Sequence, residues 1–140
     1  MIQKYIDNFQ KNKDKLSAYL MATPQDEYDT YKKLLIKTIE ICINDSMEPE
    51  INTAAITQID DGDYQGTLLY IIPRNIYQPE EYDYITTYVG YGSCSGCDTL
   101  LGISCYGSGF PNKSQVEAYL TLCLHMIERM EWFRESPWRK

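Results

Sequence analysis

The sequence predicts an α+β domain: two N-terminal helices, a central antiparallel sheet of three to four strands, and a long C-terminal helix packed on one face. Three observations carry this. Apolar residues recur at helical spacing over residues 1–45, β-branched residues and turn formers dominate 51–92, and one apolar stripe runs through 114–136. At 140 residues the chain suits a single domain, 1–140, that can bury a core without metal or disulfide staples.

Taken in order, Ile2, Ile6, Phe9, Leu16 and Leu20 fall three, four or seven apart, which is one face of a helix with lysines on the other. A break follows at Ala22-Thr23-Pro24. Thr23 as cap, Pro24 in the first turn, and Asp26 and Glu27 at the positive end of the dipole predict a second helix starting there. Its stripe is Tyr28, Tyr31, Leu35, Thr38/Ile39 and Cys42, and it ends before Pro49, closing a helical hairpin over 1–45. NTAAITQID (52–60) and GTLLYIIP (66–73) then read as strands joined by a turn, and YDYITTYVGY (82–91) as a third, with Ile85, Thr87 and Val89 on its buried face. Residues 93–110 read as a Gly/Cys loop with a short helix capped by Ser95 or Asp98. Ser114 and Glu117 read as a capping box for the last helix, whose stripe is Val116, Tyr119/Leu120, Cys123, Met126/Ile127, Met130 and Phe133.

The formal charge of −7 is unevenly spread. Residues 1–39 are net +2, residues 40–98 hold eleven acids and the single base Arg74, and residues 99–140 are net +1. Such a central field argues against direct binding of nucleic acid, whose phosphates it would repel. Residues 1–22 lack the apolar core of a signal peptide and no stretch has the length of a membrane span, so the chain reads as cytosolic. Five cysteines, an odd number without a secretory signal, read mostly as free thiols.

The stretch YVGYGSCSGCDTL (88–100) places Cys94 and Cys97 at metal-ligand spacing, but this is half a zinc site. Cys105 and His125 are the candidates that would complete it. A redox pair is a second reading, since the motif follows a strand and precedes a short helix; a tight glycine turn with thiols as small fillers is a third. A Cys–His dyad with His125 is a further option. Asp60, Asp61 and Asp63 offer carboxylates for a divalent cation, yet the calcium-loop pattern is absent and a solvated hairpin tip accounts for them. Nucleotide-loop, GxSxG and HExxH motifs are also absent, so no catalytic residues and no cofactor are predicted, with zinc the alternative.

DYQG (63–66), YGSCSGCDTL (91–100) and QVEAYLTLCLHMIERM (115–130) together resemble a family of small proteins encoded by bacteriophages and prophages, most without assigned function; the likeness covers roughly residues 60–130. The resemblance implies a phage origin, action in the host cytoplasm and action on host machinery. With the acidic segment, it leads to the expectation of an inhibitor of a host nucleic-acid-binding defence protein, of anti-CRISPR or anti-restriction type. Asp60, Asp61, Asp63, Glu80, Glu81 and Asp83 would enter the basic groove of that protein, with Tyr64, Tyr77, Tyr82 and Tyr84 as anchors. The alternatives are a zinc- or thiol-dependent protein centred on the two-cysteine turn, and a sponge for a signalling nucleotide. The same acids read equally well as serving solubility alone.

Overall fold

A computed structural model describes residues 2–44 and 47–138. Helix α1 spans Gln3–Met21 and buries Tyr5, Phe9, Leu16 and Leu20, each side chain contributing about 1.5–3 kcal/mol. Tyr5 is the addition to the expected stripe. Its ring is fully buried while its hydroxyl donates to Glu50 Oε1 at 3.1 Å, so a polar tip hides an apolar body.

The second helix starts later than expected. Gln25–Tyr28 form a 3-10 turn, and α2 runs Tyr31–Thr38 behind Thr30, whose hydroxyl accepts from Lys33 N. Thr23 instead donates back to Tyr19 O and closes α1, so it is not free to cap. Burial nevertheless follows the expected stripe, since Tyr28, Tyr31, Leu35, Thr38, Ile39 and Cys42 are all buried. One π-helical turn, Ile39–Ile43, ends the segment, and Asn44 then clamps Ile51 with two hydrogen bonds, at 2.9 and 3.0 Å.

The sheet is a four-stranded antiparallel meander in the order β1 (Thr57–Asp60), β2 (Gly66–Pro73), β3 (Tyr84–Tyr91) and β4 (Glu131–Trp132). Residues Thr53–Ala55, expected as strand, form a 3-10 turn because Asn52 Oδ1 accepts from Ala54 N. Strand β1 is one of the two edge strands, with all four residues exposed. On the covered face the register aligns Leu68 with Val89, Tyr70 with Thr87 and Ile72 with Ile85, and Thr87 Oγ1 donates to Met126 O of the C-terminal helix. Thr86 is buried on the opposite face as well, where it pairs with Glu131.

Helix α3 (Thr99–Ser104) is capped by Asp98, and α4 spans Lys113–Glu128. The capping box of α4 is Asn112 with Gln115, not Ser114 with Glu117. Nor does the helix reach 136. After Arg129 and the buried Met130 the chain turns to pair Trp132 with Ile85, supplying the fourth strand, and Phe133 lies in a 3-10 turn. No helix among the described residues is long and apolar enough to cross a membrane.

Candidate functional site

The β2–β3 register decides where the acids stand. Gly66 opposes Tyr91 and Pro73 opposes Tyr84, so the hairpin tip 61–65 lies at one end of the ladder and residues 74–83 at the other. Eight residues of strand separate the two ends by about 23 Å. The expected single acidic face is therefore two groups. Others of the central acids are neutralised or withdrawn: Glu50 pairs with Lys4 at 2.7 Å, Glu40 with Lys37 at 3.5 Å, and Asp98 is buried. Asp45 lies outside the described residues.

At the first end Asp60, Asp61 and Asp63 are exposed, and Tyr64 is 82% exposed. The tip is ordered from within. Asp60 Oδ1 accepts from Gly62 N at 3.0 Å and from the Tyr91 hydroxyl, while Asp61 Oδ1 accepts from Thr67 N at 2.6 Å. A Cβ on Gly62 would sit 2.1 Å from Gln65 O, so only glycine fits this turn. The hydrogen bond to Asp60 is the main reason the Tyr91 phenol is pushed up to about 12, with Asp61 and Asp63 adding to it; the same bond holds Asp60 below the usual carboxylate range. Tyr91 was not among the expected site residues, and only strand register reveals it as the partner of Asp60.

At the far end Tyr77 is 89% exposed, and Glu80, Glu81 and Tyr82 are exposed beside it. Asp83 corrects the expectation. It is 3% exposed, accepts from Arg74 Nη1 at 3.2 Å and from Glu80 N at 2.9 Å, and so locks the turn into β3 instead of facing a partner. Tyr84 is half-buried at the first position of β3.

The cysteine turn sits at the same end as the Asp60–Asp63 tip, directly after Tyr91. Cys94 and Cys97 are exposed and hydrogen-bond each other, with their sulfurs 2.7 Å apart. Asp98 holds the turn: Oδ2 accepts from Gly92 N at 2.9 Å, and Oδ1 accepts from the Tyr31 hydroxyl at 2.7 Å and Leu101 N at 3.1 Å. The expected zinc set is not assembled. Cys105 is exposed at the end of α3, where its thiol donates to Gly102 O, and His125 is exposed on α4. Among the described residues no three His, Cys, Asp or Glu side chains are placed to hold one ion.

A cleft of about 350 Å³ lies beside this end, bounded by Tyr31, Leu68, Tyr91 and Leu100. Asp29, Asp60 and Asp98 also line it, which disfavours the phosphates of a nucleotide. Comparison of the chain with protein-family models, curated proteins and solved structures finds no match.

Proposed function

We propose that this chain is a non-catalytic accessory protein of phage origin that binds a host nucleic-acid-binding defence protein, of CRISPR or restriction type, and competes for its basic groove. The observation that supports the reading is the ordered hairpin tip, where three exposed carboxylates and one exposed tyrosine fall within residues 60–64 at one end of the sheet. Carboxylates fixed by backbone and tyrosine hydrogen bonds lose less freedom on meeting guanidinium and ammonium groups than mobile ones do. Tyr64 supplies contact area that charge alone lacks. The Tyr77–Tyr82 end acts as a separate, secondary contact, because some 23 Å of strand divides it from the tip.

The test is a panel of host CRISPR and restriction nucleases assayed for DNA binding with and without the chain. Inhibition of at least one is expected at low salt and is expected to fade near 1 M salt, where the screening length is about 3 Å. The triple variant Asp60→Asn, Asp61→Asn, Asp63→Asn should raise the concentration needed for inhibition by about 100-fold, from roughly 1 kcal/mol per lost contact. Inhibition indifferent to both salt and the triple variant, or inhibition of none of the panel, overturns the reading.

A further inference from the structure

The cysteine turn is not used by the partner-binding reading, and its geometry has a consequence of its own. We propose that Cys94 and Cys97 form a reversible dithiol–disulfide site that exchanges with small soluble disulfides of the glutathione type.

Three features of the turn support this. The two sulfurs lie 2.7 Å apart, both side chains are exposed, and Cys94 N donates to Cys97 Sγ at 3.1 Å. The backbone is already folded for closure, since Cys97 N and Asp98 N both donate to Cys94 O, at 3.1 and 2.9 Å. A Cβ on Gly92 would sit 2.4 Å from Cys97 O, so the strand end is pressed against the second cysteine. The turn is also anchored from beneath, because buried Asp98 ties Gly92 and Leu101 to the core through Tyr31. Passage from dithiol to a bond of about 2.05 Å therefore asks for a sulfur shift of under an ångström.

The chemistry balances as two exchanges. Cys97, as thiolate, attacks one sulfur of the small disulfide; the other half leaves as a thiolate and a mixed disulfide forms on Cys97. Cys94 then attacks Cys97 Sγ and expels the second half. The protein loses two protons and two electrons, and the small disulfide is reduced to two thiols. Cys97 takes the first role because the Cys94 thiol and two backbone amides stabilise its anion and hold it below the ordinary thiol range. Cys42 and Cys123 take no part, being buried. Cys105 is exposed and must be removed for a clean reading.

The experiment equilibrates the folded Cys105→Ser chain in glutathione/glutathione disulfide mixtures at neutral pH, followed by acid quench, alkylation and mass measurement. The expected product is lighter by two hydrogens, carries no glutathione, and returns to the dithiol when the ratio is reversed. Adding Cys94→Ser should stop the reaction at one stable mixed disulfide on Cys97. Adding Cys97→Ser instead should leave glutathione capture at Cys94 about tenfold slower than capture at Cys97, because the sulfur that accepts from Cys94 N is gone. A chain in which both thiols stay reduced at every ratio, or in which glutathione accumulates on the intact pair without passing to an internal bond, overturns the proposal. These outcomes are independent of whether the aspartate tip binds a partner.

Discussion

Tyr70 is fully buried on the covered face of the sheet, and among the described residues nothing hydrogen-bonds its hydroxyl. An unpaired buried hydroxyl costs about 1–3 kcal/mol, so Tyr70→Phe is expected to stabilise the fold by about 1 kcal/mol, seen as a raised urea midpoint. The five thiols divide just as sharply by environment. Burial pushes Cys42 up to about 11 and Cys123 up to about 12, whereas Cys94, Cys97 and Cys105 are exposed. At pH 8 a disulfide reagent should therefore titrate three thiols in the folded chain and five after denaturation. Free thiols were legible from composition, but which ones face solvent depended on tertiary packing. Asp83 illustrates the same limit: its place in an acidic run suggested a surface group, and only the fold brings Arg74 to it.

Element positions were legible in the sequence and element ends less so. Helical spacing identified the buried faces of α1, α2 and α4 because periodic burial is what a helix on a core requires. Caps are local contests among neighbouring polar residues, and spacing does not decide them. Asn112 and Ser114 both stand before the apolar stripe of α4, and each has a Gln or Glu three residues on; the structure selects Asn112. Asn112→Ala is accordingly expected to cost about 1 kcal/mol, against under about 0.5 kcal/mol for Ser114→Ala, measured by thermal or urea unfolding. The over-long last helix has a related cause. Met130 and Phe133 continue the helical spacing, but pairing of Trp132 with Ile85 satisfies the end of β3 and wins.

Across the whole molecule the alkaline limb of stability should be the weaker one. Burial raises the phenols of Tyr5, Tyr28, Tyr31 and Tyr70 above their ordinary range, as it does the two buried thiols. Groups held protonated in the fold stabilise it fully below their unfolded values, and that contribution is lost as pH rises through the folded ones. Unfolding free energy should therefore decline once pH passes about 8.5 for the thiols and steepen above about 10 for the phenols. A stability that stays flat to pH 11 would contradict this. Charge along the chain was fully legible in the sequence, but its arrangement in space was not, because adjacency in an antiparallel ladder puts residues 60–63 beside 91–97 and away from 80–83.

The outer position of β1 bears on self-association. Its far side offers unpaired backbone amides and carbonyls, with Ile59 46% exposed, a template on which further copies can add strands. Negative charge at Asp60, Asp61 and Asp63, in and beside this edge, is expected to oppose that growth. Neutralising the three should raise the scattering mass above that of the unaltered chain as concentration rises, so any binding assay on that variant must be run below the concentration at which the two diverge.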